Sequence, residues 1–389
     1  MNLFSLKDAY PFRLHNKMRT RNLKTWVEVS KDALKRNAEI IRKLAQGKIV
    51  MGVVKSNAYG HGLVETAKLF LKYGIDWLGV DNIDEAVLLR KSKIKAPILV
   101  LGYTPVIFFP LAVKYKIKLT LYGDDIFKQA SRFKKAIGFH LKVDTGMSRQ
   151  GVLTSDLPRY LSELKNHSEV RLEGVFTHFA NADNISDLSY AKKQLGDFRK
   201  ALGIIKESGF NPPIIHTVAT TALFALPEAD FNLVRIGVAL YGLWPSEEFK
   251  SRFNSIGLQP ALSWKTRIAQ VKKIPKEVSV GYGITEKVKK DSVVALLPVG
   301  YYDGFFRSLS SIGEVLIAGR RCKILGRISM NLSVVDVSEV KDAKVWDEAI
   351  LIGKAKNEQI AAEEIAGKIN TISYEIVARI NPLLPRIYG

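Results

Sequence analysis

The stretch KIVMGVVKSNAYGHG, residues 48–62, joins an apolar, β-branched run to Lys55 and then to a segment rich in Asn, Tyr and Gly. The apolar run predicts a buried strand. TWVEV (25–29) and a helical pattern near Asp32 to Gln46 come before it, and another helical pattern runs from Leu63 to Tyr73. Because strands that alternate with amphipathic helices form parallel sheets with crossover connections, this part of the chain indicates an α/β fold.

The alternation of strands and helices continues toward residue 242. Eight parallel strands in roughly 230 residues favour a closed (β/α)8 TIM barrel over an open doubly wound sheet. A dinucleotide-binding GxGxxG after the first strand, which would support the open sheet, is absent from the sequence. Nine candidate strands are found, so one of them is an extra strand: TWVEV, KIVMGVVK, WLGV (77–80), PILVL (97–101), KLTLY (118–122), GFHLKVD (138–144), LEGVFTH (172–178), PIIHTVA (213–219) and NLVRIGVALYG (232–242).

The helical pattern fades after about Ser255. Segments such as SVVALLPVG, GEVLIAG and LSVVDV then read as strands separated by glycine-containing turns. We therefore predict three parts: a basic N-terminal arm (1–24), a barrel (25–255) and a mostly β domain (256–389).

Composition and charge exclude several classes of protein. The net charge of +21 comes from scattered lysines with no nucleic-acid-binding motif among them, so no nucleic-acid partner is expected. The longest uncharged segment, Ala96 to Val113, is interrupted by prolines and a glycine, so no membrane span is expected. A single cysteine, Cys322, and an N-terminus without an apolar signal region favour a reduced, cytoplasmic compartment.

Titratable residues recur at the C-terminal ends of the predicted strands, which is the face where a barrel carries its active site. A lysine buried there has a lowered pKa, and the neutral amine is a nucleophile. Such an amine bonds covalently to an aldehyde cofactor, and pyridoxal 5′-phosphate (PLP) is the usual one. Taken alone, Lys55 could also be a surface lysine. The residues at these strand ends are Lys55, Asp144, His178, His216 and Arg235.

The segment VVKSNAYGHG resembles the PLP-lysine motif of the alanine racemases. Further segments that resemble this family follow in the family's order, and together they span residues 25–389. They are KVDTGMSR (142–149), EGVFTHFANAD (173–183), HTVATTALF (216–224), VRIGVALYG (234–242), VGYGITE (280–286), GYYDGFFR (300–307), GRISMNLSVVD (326–336) and TISYE (371–375).

The resemblance implies PLP as cofactor, a small amino-acid substrate and no metal site. In the family, an arginine at the position of Arg235 faces the pyridine nitrogen, and one at Arg149 steadies the phenolic oxygen and the substrate carboxylate. A lysine at the position of Lys142 is carbamylated in many members. The positions that match phosphate-binding residues are Tyr59, Thr220, Gly237, Val238 and Tyr374.

Racemisation needs a proton removed from one face of Cα and returned to the other, hence two bases. The resemblance assigns these roles to Lys55 and Tyr282, and in the family the tyrosine reaches the site from the other subunit of a head-to-tail homodimer. His178 matches the histidine that hydrogen-bonds this tyrosine. Tyr301 and Met330 match entrance and pocket positions that the partner subunit also contributes. Asp303 and Arg307 match supporting positions near the entrance, and we expect no catalytic role for them.

Two segments depart from the family pattern. Ala219-Thr220 stands where Asn-Ser is usual, and Asn331-Leu332 where Asp-Gln is common. Both changes concern the rate and the exact substrate more than the reaction type. The sequence thus predicts an alanine racemase that supplies D-alanine for peptidoglycan. The alternatives are a racemase of broader specificity, a non-catalytic PLP-homeostasis protein, or a decarboxylase of the same architecture.

Overall fold

The computed structural model describes residues 20–133, 135–165, 167, 169–229 and 231–389. The chain divides into two compact units. The barrel unit contains Leu34–Tyr59 and Leu63–Gln259. The β unit contains the described residues up to Ala33, Gly60–Gly62 and Pro260–Gly389.

The strands and helices are numbered in chain order across both units. The strands are β1 (Thr25–Val29), β2 (Ile49–Val53), β3 (Trp77–Val80), β4 (Ile98–Val100), β5 (Lys118–Leu121), β6 (Ile137–Asp144), β7 (Val152–Leu153), β8 (Val170–Phe176), β9 (Ile214–His216), β10 (Leu233–Ile236), β11 (Leu262–Arg267), β12 (Gln270–Ile274), β13 (Ser292–Leu297), β14 (Glu314–Ile317), β15 (Arg320–Leu325), β16 (Ser333–Asp336), β17 (Glu348–Ala355), β18 (Glu358–Ile360) and β19 (Arg386–Tyr388). The helices are α1 (Lys31–Leu44), α2 (Lys55–Tyr59), α3 (Leu63–Lys72), α4 (Ile83–Lys91), α5 (Phe109–Tyr115), α6 (Asp124–Arg132), α7 (Leu157–Leu164), α8 (Ser189–Glu207), α9 (Thr220–Ala225), α10 (Glu247–Phe253), α11 (Ala362–Lys368) and α12 (Ser373–Ala378).

The barrel unit is built on eight parallel strands in the order β10-β2-β3-β4-β5-β6-β8-β9. The backbone N–H of Arg235 on β10 donates to the carbonyl of Val218, just after β9, at 2.9 Å, and this bond joins the two ends of the sheet. The two-residue strand β7 pairs outside this path with β6. The predicted TIM barrel is confirmed.

Side chains from alternate strand positions fill the barrel interior. Met51, Leu99 and Leu233 form a buried apolar cluster there. The interior also holds buried polar side chains, among them His140, Lys142, His216 and Arg235. Burying polar groups is unfavourable unless they are hydrogen-bonded. A group of them in the core adds little stability, so it marks a candidate functional site.

The β unit is one sheet in the order β12-β13-β16-β15-β14-β17-β11-β1-β19, with β18 paired to β17. Its pairs are antiparallel except for β1 with β19. TWVEV is β1, and its Val27 pairs with Trp264 of β11. TWVEV is thus the extra strand, and it lies in the β unit instead of the barrel. The predicted C-terminal mostly β domain is confirmed.

Two sequence predictions concern the remaining segments. Most of the basic arm, residues 1–19, lies outside the described residues; Thr20–Asn22 form a 3-10 turn. In the segment from Ala96 to Val113, the chain forms β4, a 3-10 turn at Val106–Phe108 and the start of α5. Across the described residues, no helix has both the length and the apolar character needed to cross a bilayer.

Candidate functional site

Lys55 follows the end of β2 and begins an unusual turn. The four residues after it, Ser56 to Tyr59, all have positive φ, between 50° and 56°. For residues other than glycine, this left-handed conformation costs about 1–2 kcal/mol each. Glu85 offsets part of that cost: its carboxylate accepts the backbone N–H of Asn57 at 3.2 Å and of Asp81 at 3.1 Å. A strained segment braced from a neighbouring helix is characteristic of a functional site.

The Lys55 amine is less buried than the sequence argument assumed. Its side chain is 40% exposed, and Nζ lies 3.6 Å from Oδ1 of Asp81. The amine therefore stands at the rim of the barrel, beside an acid and open to a ligand.

Arg235 projects from β10 into the barrel and is held by acceptors. Nη1 donates to Nδ1 of His216 at 2.7 Å and to its carbonyl at 2.9 Å. Nη2 donates to the carbonyls of Thr177 and Thr217, at 2.8 and 3.0 Å, and to Nδ1 of His178 at 3.2 Å. Within the described part of the chain, these five contacts share the four terminal hydrogens and leave Nε–H for a ligand. Burial lowers the pKa of Arg235 to about 9, so it is still a cation at neutral pH.

His178 is neutral at physiological pH. Burial, followed by the positive charges of Arg235, Arg149, Lys142 and Lys55, lowers its pKa to about 3. Because arginine has no acceptor, Nδ1 of His178 accepts from Arg235, and the ring proton is on Nε2. The ring can therefore donate a hydrogen bond from Nε2.

Two interior contacts were not predicted from the sequence. His140 on β6 lies with Nδ1 2.8 Å from Nε2 of His216, which extends the Arg235 network deeper into the barrel. Gln150 accepts from Nζ of Lys142 at 2.9 Å. A signal for His140 was available, because it stands two residues before Lys142 on one strand and therefore faces the same side.

Lys142 is a buried amine among cations. Burial, then the charges of Arg149 and Arg235, lowers its pKa to about 8. Arg149 itself follows a loop organised by Asp144, whose Oδ1 accepts the N–H groups of Gly146 and Met147 at 2.9 Å. Although desolvation opposes it, this set of backbone donors lowers the pKa of Asp144. Asp144 thus shapes the loop that leads to Arg149.

The predicted phosphate-binding residues of the barrel unit come together after β10. The N–H of Gly237 lies 3.3 Å from the hydroxyl of Thr220, and Val238 begins the next helical turn. A Cβ on Gly237 would stand 2.7 Å from the hydroxyl of Tyr59, so only glycine allows that hydroxyl to approach. Removal of the Tyr59 hydroxyl from water, and then the charge of Asp81, raise its pKa to about 12. Tyr59 is therefore protonated and able to donate a hydrogen bond.

The remaining predicted residues lie in the β unit. Tyr282, Tyr301 and Met330 are exposed, Tyr282 to 69%. Tyr374 is in the first turn of α12. The carboxylate of Asp303 accepts the backbone N–H of Gly300 at 3.0 Å, which stabilises this turn, and Arg307 begins a 3-10 turn. The described residues contain no cluster of His, Cys, Asp or Glu arranged to bind a metal.

The barrel residues fit PLP. Three features of the barrel unit differ in chemistry: the rim amine of Lys55, the Arg235 cation whose Nε–H is unused within the described residues, and the hydroxyl and amide donors around Gly237. They suit, in turn, an aldehyde, a ring nitrogen and a phosphate.

Comparison with known proteins identifies the family. Residues 29–245 match the family model described as "Alanine racemase, N-terminal domain", and residues 261–388 match "Alanine racemase, C-terminal domain". The chain is 39% identical to an alanine racemase of Carboxydothermus hydrogenoformans over 93% of this chain and 99% of that protein. It is also 39% identical to alanine racemase 2 of Bacillus subtilis, over 93% and 94%.

Solved structures agree. The crystal structure of alanine racemase from Bacillus anthracis with bound L-Ala-P has a TM-score of 0.89 to this chain, at 36% identity over 94% of this chain and 95% of that one. The enzyme from D-cycloserine-producing Streptomyces lavendulae has a TM-score of 0.88, at 34% identity over 94% and 97%.

Proposed function

The chain belongs to the alanine racemase family, and from this membership we infer that it interconverts L-alanine and D-alanine. It is an isomerase and depends on PLP. The observation that carries this conclusion is the match over both domains, with 39% identity across nearly the whole of a curated relative. The interpretations as a PLP-homeostasis protein or a decarboxylase are therefore set aside.

We propose that the roles of the site residues follow the geometry of the barrel unit. Lys55 Nζ would hold the cofactor covalently, Arg235 Nε–H would donate to its ring nitrogen, and Tyr59, Thr220, Gly237 and Val238 would hold its phosphate. The family resemblance adds Tyr374 of the β unit as a further phosphate ligand. When bound, PLP withdraws electrons from Cα of the amino acid and acidifies its proton. Arg149 orients the substrate through its carboxylate.

We assign the two proton transfers to Lys55 and Tyr282. Lys55 Nζ, released from the cofactor when the substrate amine takes its place, would take or return the Cα proton on one face, and the phenol oxygen of Tyr282 would do so on the other. A phenol has a pKa near 10 in water, so it needs assistance to act as a base at neutral pH. The Nε2–H of His178 supplies a donor to that oxygen, which stabilises the phenolate.

Lys142 is proposed to be carbamylated. With a pKa of about 8, a useful fraction of the amine is neutral near physiological pH. The amine nitrogen bonds to the carbon of CO2, its proton goes to solvent, and a cation becomes an anion. That change replaces repulsion of Arg149 by attraction. Gln150, already 2.9 Å from Nζ, would then use its amide N–H as the donor.

The second base is proposed to come from a partner subunit. Tyr282, Tyr301 and Met330 are large side chains that one chain leaves exposed, which suits residues completed by a homodimer. In this arrangement residues 25–255, without β1, bind the cofactor, and 256–389 complete the partner's site. A cytoplasmic location and supply of D-alanine to peptidoglycan are proposed with it. The departures at Ala219, Asn331 and Leu332 support a broader substrate range as a second possibility.

Mixing two inactive variants tests the shared site. Lys55→Ala and Tyr282→Phe dimers are each expected to be inactive. Dissociated and recombined together, they form mixed dimers in which one site has both wild-type residues. Recovery of about a quarter of the activity, from half the dimers with one intact site each, is the statistical expectation for random exchange between two-site dimers. No recovery, despite mixed dimers detected by mass spectrometry, would contradict the shared site. Rates with alanine, serine and lysine then measure the substrate range.

A further inference from the structure

The buried hydrogen-bond chain that ends at Arg235 begins at a residue with no role in the mechanism above. His140 of β6 and His216 of β9 are both buried in the barrel interior. His140 Nδ1 lies 2.8 Å from His216 Nε2, and His216 Nδ1 lies 2.7 Å from Arg235 Nη1. Three side chains from three strands are thus linked in a row.

The chemistry of arginine fixes the direction of every hydrogen bond in this row. Arg235 has only donors, so Nδ1 of His216 must be an acceptor. Burial keeps both rings neutral, lowering the pKa of His140 to about 3 and that of His216 well below its usual value. His216 therefore has its proton on Nε2 and donates it to Nδ1 of His140. His140 must in turn have its proton on Nε2, a buried atom without a hydrogen-bond partner among the described residues, so the row ends there.

The surroundings of the two rings are built to hold them. Phe176 stacks on His216 with the ring centres 4.6 Å apart and the planes within 7°. Gly174 makes the space for His140, since a Cβ there would come within 2.4 Å of Nδ1. The position of His140 is therefore specified by the sequence of β8 as well as by its own strand.

We propose that His140 is a positioning residue for the racemase: it accepts the Nε2–H of His216, holds that ring in place and thereby orients the guanidinium of Arg235. The proposal rests on the proposed function of Arg235. Without an acceptor at His140, the Nε2–H of His216 would be buried without a partner, which is unfavourable. The His216 ring would then lose the contact that holds it on the β6 side and turn within its pocket. A turned ring no longer presents Nδ1 to Nη1 at 2.7 Å, so Arg235 would lose one of the bonds that aim Nε–H.

Nitrogen-15 NMR of histidine-labelled holoenzyme tests the tautomers directly, and the chain has only six histidines to assign. The wild type is expected to show His216 and His140 both with the proton on Nε2. His140→Phe should change the ring signals of His216 and lower kcat about ten- to hundredfold, the effect of losing a hydrogen bond to a charged group. KM for alanine should change little. His140→Asn, whose Oδ1 can take the place of Nδ1, should restore both.

Thr120→Val is the matched control. Thr120 pairs with His140 across β5 and β6, and its hydroxyl donates to the carbonyl of Val100 at 2.7 Å. This variant removes a buried hydrogen bond from the same layer without touching the row, so the His216 signals and kcat should stay near wild type. A wild-type His216 with its proton on Nδ1 would overturn the proposal, whether or not any variant folds. So would His216 signals that His140→Phe leaves unchanged. Neither result depends on turnover, so a failure of the proposed function would be recognised separately, as absent racemisation by the wild type.

Discussion

Gly237→Ala tests how the phosphate-binding residues are held. The new Cβ would lie 2.7 Å from the hydroxyl of Tyr59 and 3.3 Å from its Cζ, so the tyrosine must move. Its ring packs against Tyr241, with centres 5.0 Å apart, and cannot retreat freely. Overpacking of this kind costs about 1–3 kcal/mol. We expect the apo-protein to lose that stability in urea unfolding, and PLP affinity to fall about ten- to hundredfold, which corresponds to about 1.4–2.8 kcal/mol.

A double-mutant cycle with Tyr59→Phe separates the two effects. Removing the hydroxyl removes the closest contact, so the double variant should regain about half or more of the lost stability. It should not regain PLP affinity, because the hydroxyl is the proposed phosphate donor. Gly196→Ala, in α8 with open space around it, serves as the control and should gain about 1 kcal/mol of stability without changing PLP binding. Wild-type PLP affinity and unchanged stability in Gly237→Ala would show that the approach of the Tyr59 hydroxyl to residue 237 does not require glycine.

Two further predictions concern stored strain and a buried charge. Ser56→Gly should stabilise the protein by about 0.5–1 kcal/mol, because relief of the left-handed φ of 55° exceeds the added entropy of the unfolded chain. As a control, Ser162→Gly at an exposed position inside α7 should destabilise the protein by a similar amount. If both variants changed the free energy of unfolding in urea in the same direction, the strain at Ser56 would be refuted. For Lys142 in CO2-free buffer, the folded pKa of about 8 lies below the unfolded value of 10.5, so the unfolded state binds more protons between them and stability should rise with pH over that range. The free energy of unfolding of Lys142→Met should lack this rise, and that of Lys43→Met, changed at an exposed site, should keep it. If the unfolding free energies of wild type and Lys142→Met depended on pH in parallel, the lowered pKa of Lys142 would be contradicted.

The barrel was predictable because its strands and helices alternate within short distances along the chain. The place of TWVEV was not, since an apolar run does not say which sheet it joins. The side-chain hydroxyl of Thr25, the first residue of TWVEV, forms a hydrogen bond with the hydroxyl of Thr266, 241 residues later. Contacts that distant along the chain leave no local pattern.

Motif matches single out Arg235 and His178 from the sequence, which is less informative where tertiary contacts decide the conformation. Nothing in the residues of SNAY predicts four left-handed residues; the conformation depends on Glu85 from a neighbouring helix. The sequence left open whether Lys55 is buried or at the surface, and the structure places its side chain at 40% exposure. Gln150 follows the KVDTGMSR motif and carries no signal of its own, whereas His140 could have been found from its position two residues before Lys142 on the same strand.

Exchange of the Cα hydrogen of alanine in D2O tests the two-base reaction most directly. Wild-type enzyme should introduce deuterium starting from either enantiomer. Tyr282→Phe should keep exchange from one enantiomer and lose it from the other, because only the face served by Lys55 still has a base. Exchange from both enantiomers at the wild-type rate in Tyr282→Phe would show that this phenol is not the second base.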